Sequence, residues 1–442
     1  MKEIIIYSLN DFHGALLPHN TPGISKIGAF LLSEKKQNPE ILIISSGDMF
    51  QGTLLSSLTR GRAVVEAMNL IGFDAMTVGN HEFDWGTEIL TCFQNGIESD
   101  GEANFPFLGA NIVLKESLKT PEWLTPYTIF KRENLKIGVI GVIGQNFRES
   151  ILASKVKDVL FTDEMEAIKK YSRLLRSEHG CQIIIVLAHT DSFLFNQKIT
   201  ELDEDSRVDA LINGHTHRYY AAEIRSGKVP LPIIQSGNCG RYIGKISFKI
   251  DQNIIIDAEA ENIDMIKCGR ESPEINQLLR TYQEEFRNLD EIIGFVGEAI
   301  TKEQAITWAV DALRAATGAK LALINFGAIR SEAFPMSSES LITYDSLFRM
   351  MPFEDRIVLI TLRGKDLLPL IDAPDIKFSS NFNPSESIFK EEDYRIATLD
   401  YLYEKENYPF LAGRDLERTD LFRDFLYQEV LRSVAEKGNW KL

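Results

Sequence analysis

A chain of 442 residues is longer than a single hydrophobic core usually serves, so two domains are expected. Hydrophobic residues make up 44% and charged residues 25%, which excludes a chain too polar to build a core. The net charge of −16 argues against the basic footprint that DNA or RNA polymers require, though a small anion can still be bound where cations or arginines reverse the field locally.

The chain opens on MKEIIIYSLNDFHG, whose apolar stretch is too short for a secretory signal and reads as a first buried strand; a cytoplasmic location is the resulting expectation. A helical pattern near Gly23 to Lys36, the strand ILIIS and a second helical pattern near Ala63 to Ile71 follow. Further strands are predicted at AMTVG, FPFLGANIV, LKIGVIGVIG, CQIIIVLAH and VDALING, with a helix over Asp163 to Ser177. This alternation predicts α/β layers. The apolar run from Leu135 to Gly144 is well short of the roughly 20 residues that span a bilayer, so no membrane segment is expected. Its GVIGVIG portion lacks GxGxxG spacing and reads as a closely packed buried strand. Strands between Pro230 and Ile263 close the first domain. The amphipathic pattern from Ser272 to Leu289 suits a linker helix. The predicted division is therefore 1–270, a linker helix over 271–292, and a second domain over 293–442 with helices at Gln304 to Ala316 and Leu421 to Glu436. The four cysteines lie far apart without a CxxC pair, which fits free thiols in a reducing compartment.

Five short motifs collect oxygen and nitrogen ligands: NDFHG (Asp11, His13), SSGD (Asp48), GNHEFD (Asn80, His81, Asp84), LAHTD (His189) and NGHTH (His215, His217). Almost all sit just after a predicted strand, where open α/β sheets place their ligands. Carboxylate, imidazole and amide oxygen without thiolate suit Mn, Zn or Fe rather than a structural zinc knot. Strand alternation would let Asp11 and His13 reach one ion. Asp48, with two oxygens, is the natural bridge between two ions about 3.5–4 Å apart. Five of the seven histidines fall in these motifs. Glu82 reads as structural.

In order and content these motifs resemble the calcineurin-like metallophosphoesterase superfamily, in its 5′-nucleotidase branch, over nearly the whole chain. The resemblance implies a four-layered α/β/β/α metallophosphoesterase domain followed by a smaller α/β C-terminal domain. It implies two divalent ions (Mn, Zn, Fe, Co or Mg), one on Asp11, His13, Asp48 and His217, the other on Asp48, Asn80, His189 and His215. His81 would contact the phosphoryl group, with Asp84 orienting it. The implied activity is hydrolysis of a nucleotide phosphoester, a 5′-monophosphate first, by in-line attack of a hydroxide held by the ions. A 2′,3′-cyclic nucleotide or a nucleotide-sugar pyrophosphate is the alternative substrate, and a nucleotide-binding sensor with structural metals is the rival outside enzymes. The expected partner is a small nucleotide or related phosphoester, not a nucleic acid polymer or a membrane.

In the second domain NFGAIR resembles the family's NxGxIR motif, which assigns Asn325 and Arg330 to the substrate. MPFED resembles the PFxN stretch, whose Phe353 would stack on a base. PFLAGRD is an imperfect match to the second stacking motif and gives Phe410 and Asp415. The arginine-bearing start of the domain's first helix is replaced by ITKEQ, with Lys302 a loose substitute.

Overall fold

The computed structural model describes residues 2–97, 101–224, 229–286, 291–371, 373–382, 389–405, 408 and 413–442. It divides into two compact units, Met1–Ile151 with Lys155–Glu285, and Leu152–Ser154 with Phe286–Leu442.

In chain order the first unit runs β1 (Lys2–Leu9), α1 (Ile24–Gln37), β2 (Leu42–Ser45), α2 (Leu54–Leu58), α3 (Arg62–Ile71), β3 (Ala75–Thr77), α4 (Thr87–Cys92), β4 (Phe107–Leu108), β5 (Ile112–Leu114), β6 (Tyr127–Arg132) and β7 (Leu135–Ile143). It continues through β8 (Val159–Phe161), α5 (Glu164–Ser177), β9 (Ile183–His189), α6 (Phe193–Thr200), β10 (Ala210–Asn213), β11 (Tyr219–Ile224), β12 (Leu231–Ser236), β13 (Tyr242–Asp251), β14 (Ile254–Asp264) and α7 (Pro273–Glu285). Two six-stranded sheets result, ordered β14-β13-β1-β2-β3-β4 and β11-β12-β10-β9-β7-β6. Within them β1 to β4 are mutually parallel, as are β7, β9, β10 and β12, so their carboxyl ends gather at one edge of each sheet.

The strand sequences explain the layering. In β9 the residues Ile183, Ile185 and Leu187 join Ile4, Ile6, Leu42 and Ile44 of the other sheet in one core. The alternate residues Ile184 and Val186 pack with Ile168 and Leu175 of α5 and Phe195 of α6. A strand apolar on both faces must be covered on both faces, and this one is. The first sheet is covered by α1, whose Phe30 meets Tyr7 of β1 edge to face. The expected four α/β/β/α layers are thus present. The helix expected to link two bodies is instead packed on the first unit: Ile275, Leu279 and Tyr282 of α7 are buried, and Ile275 lies with Ile71 beside Gly28 of α1.

The second unit comprises β15 (Ile292–Phe295), α8 (Lys302–Thr317), β16 (Leu321–Asn325), β17 (Leu341–Thr343), α9 (Tyr344–Met350), β18 (Arg356–Arg363), α10 (Gly364–Ile371), β19 (Ile376–Phe378), β20 (Asp393–Leu399), α11 (Asp400–Tyr403), β21 (Arg414–Leu421) and α12 (Phe422–Lys437). Its main sheet is ordered β19-β16-β20-β18-β21. One face packs with α8 and α12 through Val310, Ile324, Ala397 and Leu426; the other packs with α10 through Leu323, Ile360 and Leu367. No described helix in either unit is long and apolar enough to cross a membrane.

The glycines of GVIGVIG are packing glycines. A Cβ on Gly138 would fall 2.8 Å from Leu175 of α5, and one on Gly141, on the opposite face, 2.4 Å from Leu108 Cβ and 2.7 Å from Thr77 Oγ1 of the facing sheet. Gly141→Val therefore overpacks the sheet interface and is expected to cost about 1–3 kcal/mol, seen as a lower urea midpoint. Gly269→Ala, where a Cβ meets nothing within 4 Å, should leave the midpoint unchanged.

Candidate metal centre

The ligand-bearing loops leave the carboxyl ends of β1 (Asp11, His13), β2 (Asp48), β3 (Asn80), β9 (His189) and β10 (His215, His217). Three overlapping groups of ligand atoms lie within 4.8 Å of one another: Asp11, His13 and His217; His13, Asp48 and His81; Asp48, His189 and His215. Asp48 belongs to two of them, the position a bridging carboxylate needs.

Strand alternation is not what brings Asp11 and His13 together. Both lie beyond β1 in the left-handed region, with φ 48° and 51°, as do Asp48 (54°), His215 (78°) and His217 (55°). Such backbone costs roughly 1–3 kcal/mol per residue and persists only when the surroundings impose it. Here the first two loops are zipped together: Asp11 N–H donates to Gly47 O (3.0 Å), His13 N–H to Asp48 O (3.0 Å) and Gly14 N–H to Met49 O (2.9 Å). The third loop is tied in by His215 N–H, which donates to Asp11 Oδ1 at 2.9 Å.

Glu82, fully buried, supplies the strongest local anchor. Its Oε2 accepts from the N–H groups of Asp48 (2.8 Å) and Gly79 (2.6 Å), and its Oε1 from those of Met49 (2.7 Å) and Phe50 (3.2 Å). Both oxygens act as acceptors, the pattern of a carboxylate clamping two loops and not of a base facing substrate. Burial and then the charge of Asp48 push its pKa up to about 7. Gly79 is required beside it, since a Cβ there would lie 2.3 Å from Asp48 Oδ1.

The imidazoles are oriented through their outward nitrogens. His189 Nδ1 faces Ser46 O at 2.8 Å, which turns Nε2 toward Asn80 Oδ1 (3.1 Å) and Asp48 Oδ2 (3.1 Å). His13 Nδ1 meets Gln51 O at 3.1 Å, and His13 Nε2 lies 2.9 Å from His217 Nε2, a spacing that a shared cation or a shared proton satisfies. His215 Nδ1 is 2.9 Å from Asn80 Oδ1, and its ring lies under Phe147 with centroids 3.7 Å apart. Outward hydrogen bonds that fix the tautomer and aim the other nitrogen inward are what metal-binding histidines use.

The electrostatics match. Burial would raise Asp48, but the facing His189 and His81 outweigh it and hold the carboxyl well below its usual range. Burial raises Asp11 despite His189 nearby. Burial would lower His189, yet the Asp48 charge and hydrogen bond carry it up to about 9, whereas burial and the His189 charge press His215 down to about 3. The pocket thus favours positive charge among buried carboxylates while keeping a neutral imidazole lone pair beside it. Asp, His and Asn oxygen and nitrogen donors in this arrangement fit divalent Mn, Zn, Fe, Co or Mg.

His81 has its Nδ1 on Asp84 Oδ2 at 2.8 Å and its ring edge-on to His13, at the rim of the ligand cluster. Its N–H donates to Asp48 Oδ1 at 2.9 Å.

In the second unit Asn325 ends β16, and Phe353 precedes β18. Because β16 and β20 are parallel and β20 and β18 antiparallel, these two residues lie at the same end of the sheet. The Arg330 guanidinium sits over the Phe353 ring, 5.0 Å from its centroid. Lys302 Nζ donates to Ser331 Oγ at 2.8 Å, beside Arg330 in the chain. Asn325 Oδ1 is buried with no hydrogen-bond partner among the described residues.

Asp415 is not brought to this group. It starts β21, the far edge strand, and the pairing of Thr361 with Arg414 and of Arg356 with Leu421 sets it at the opposite end of the sheet from Asn325. Phe410 lies outside the described residues. What stands at the Asn325 end is a group the motifs did not single out. Lys405 Nζ lies over the rings of Tyr401 (4.7 Å) and Tyr408 (5.7 Å), and Tyr408 OH donates to Asp375 Oδ1 at 2.6 Å. Its sequence signal was only the tyrosine density of DYLYEKENY.

Residues 6–219 match the family model for the calcineurin-like phosphoesterases, and residues 294–386 that for the 5′-nucleotidase C-terminal domain. The chain is 30% identical over 463 residues to Endonuclease YhcR of Bacillus subtilis (strain 168), covering 96% of this chain and 36% of that protein. It is 25% identical over 450 residues to the Trifunctional nucleotide phosphoesterase protein YfkN of the same organism, covering 92% and 29%. The chain thus spans about a third of the length of these two curated relatives. Among solved structures, the 5′-nucleotidase precursor from Thermus thermophilus shares the fold with a TM-score of 0.80, at 20% identity and with 97% of each chain covered.

Replacing Glu82 tests whether the clamp serves the centre. Glu82→Gln keeps one acceptor oxygen and turns an NH2 toward the N–H groups the other oxygen held, so the loop that carries Asp48 loses at least one of its bonds to this side chain. Divalent-ion affinity is expected to fall about 10–100-fold, measured by Mn(II) titration of the metal-free chain. Unchanged affinity would assign Glu82 to packing alone.

Proposed function

As the chain belongs to the calcineurin-like phosphoesterases, in the branch that carries a 5′-nucleotidase C-terminal domain, we propose that it is a two-metal phosphoester hydrolase of nucleotides, with 5′-monophosphates as its first substrate class. The single observation that carries this reading is the convergence of Asp11, His13, Asp48, His189, His215 and His217 on three overlapping groups of ligand atoms, two of which share Asp48, with Asn80 Oδ1 3.1 Å from His189 Nε2 and 2.9 Å from His215 Nδ1. Asp11, His13, Asp48 and His217 would hold one divalent ion, and Asp48, Asn80, His189 and His215 the other. When bound, such ions neutralise phosphate oxygens and lower the pKa of an attacking water.

The remaining work falls to the chain itself. Asp84 holds the His81 ring through Nδ1, which leaves Nε2 to donate to a phosphoryl oxygen as charge develops and then to the leaving oxygen. Glu82 and the zipped loops hold Asp48 without rearrangement. No side chain is assigned as a separate base, since bound ions would supply the activation of the attacking water. In the second unit Asn325, Arg330 and Phe353 offer a hydrogen-bonding oxygen, a cation and an aromatic face, the chemistry of a nucleoside and its phosphate. The endonuclease name of one relative keeps a polynucleotide in the test panel, while the charge of −16 favours small substrates.

The test is a metal-reconstituted chain assayed on an aryl phosphate and on a panel of 5′-, 3′- and 2′,3′-cyclic nucleotides, nucleotide-sugar pyrophosphates and an oligonucleotide. His81→Ala should lower kcat by about 10²–10⁴-fold, and Asp84→Asn by less, since it acts through His81. Asp48→Asn should abolish activity together with tight binding of the second ion equivalent. A chain that binds nucleotides but hydrolyses none of the panel would be a sensor, and the reading would fall.

A further inference from the structure

The LAHTD motif holds a residue that the ligand assignments leave unused. Asp191 lies two positions after His189, with its side chain 1% exposed. A buried carboxylate is costly unless its lone pairs are met, and here they are. Its Oδ1 accepts from Asn196 Nδ2 (3.0 Å) and Tyr220 OH (3.1 Å), with Asn213 Nδ2 at 3.4 Å. Its Oδ2 lies 2.9 Å from the Thr216 hydroxyl and 3.6 Å from Arg218 Nη1. Thr216 Oγ1 is also 2.9 Å from Gln235 Oε1, but a hydroxyl has one proton and the charged acceptor is the stronger. Gln235 Oε1 is engaged instead by Arg218 N–H at 2.9 Å.

Thr216 stands between His215 and His217, both in left-handed backbone. That tripeptide has to be held in an unfavourable conformation from outside. The Asp11 carboxylate on His215 N–H, Gln235 on Arg218 N–H, Asn80 Oδ1 beside His215 Nδ1 and Asn238 Nδ2 beside His217 Nδ1 hold parts of this loop, and Thr216, between the two histidines, is held by Asp191. One carboxylate therefore joins the loop that carries His189 to the loop that carries His215 and His217. Asn213, which ends β10 just before this loop, is bound into the same network through Tyr220 OH (2.8 Å) and Asn196 Oδ1 (2.9 Å).

We infer that Asp191, acting through the Thr216 hydroxyl, is a positioning residue that sets the spacing of His189, His215 and His217 and so the affinity of this chain for its divalent ions. This rests on the two-metal reading above. Asp191 touches neither ion nor substrate, and its effect is carried by loop geometry.

The experiment is Mn(II) titration of the metal-free full chain, with free Mn(II) read by electron paramagnetic resonance. Thr216→Val, which replaces the hydroxyl by a methyl of the same shape, and Asp191→Asn should each weaken Mn(II) binding about 10–100-fold, while Thr216→Ser, which restores the hydroxyl, stays near the unmutated chain. The double variant should lose no more than the more affected of the two single variants, because both changes cut one link. The thermal midpoint of metal-free Thr216→Val should match that of the unmutated chain, and if Asp191→Asn does not fold, the Thr216 pair decides alone. The inference is overturned if Thr216→Val binds Mn(II) as the unmutated chain does, if Thr216→Ser is as weak as Thr216→Val, or if the losses add. Failure of the unmutated chain itself to bind Mn(II) would instead overturn the two-metal reading.

Discussion

Two carboxylates, Asp11 and Asp48, are buried together beyond the carboxyl ends of β1 and β2, and a buried anion must be met by positive charge. Among the described residues the compensation available is imidazole: His189 is carried up to about 9 by these anions, although its burial alone would have lowered it. His215, a few ångströms away, is driven down to about 3, first by burial and then by the His189 charge, which disfavours a second cation beside it. Protonation alone therefore leaves the pocket with donors in excess of protons, which is the condition under which divalent cations bind and release protons.

That requirement shapes the loops around it. Five candidate ligands sit in left-handed backbone, and glycines are forced where the loops pass closest, as at Gly79. Glu82 closes the arrangement with four backbone bonds, so the loop after β2 and the loop after β3 move as one body. Strain that would destabilise an isolated loop is tolerable here because each loop is another's template. The sheets supply the rigid frame, and Gly141 lets them approach at β7 and β4.

Much of this was legible in the sequence. Each ligand motif follows a strand whose apolar run is unmistakable because both faces are buried, as in IIIVLAH. The strand β6, half exposed along YTIFKR, and the exposed edge strand β11 gave no such signal and were not anticipated. The reason offered for pairing Asp11 with His13 was wrong even though the pair forms: alternation belongs to strands, and these residues are past the strand in αL conformation. The roles of Phe147 and Asp191 were illegible for a different cause. Each depends on contact with a loop at least 25 positions away, and no local pattern encodes that.

The second unit shows where motif matching misleads. The imperfect likeness of PFLAGRD to the second stacking motif assigned Asp415 to the substrate, but register decides position in a sheet. β21 is parallel to β16 and three strands across, so a residue at its start lies at the end where β16 begins, not where it ends. Tyr401, Lys405 and Tyr408, which follow β20, do reach the Asn325 end, and they carry a cation over aromatic rings. A lysine held between tyrosines and tethered toward Asp375 at 3.9 Å is drawn to anions more than to a neutral base face. On the two-metal reading, the first unit's candidate ligands would act through phosphate oxygens and leave the esterifying group unread.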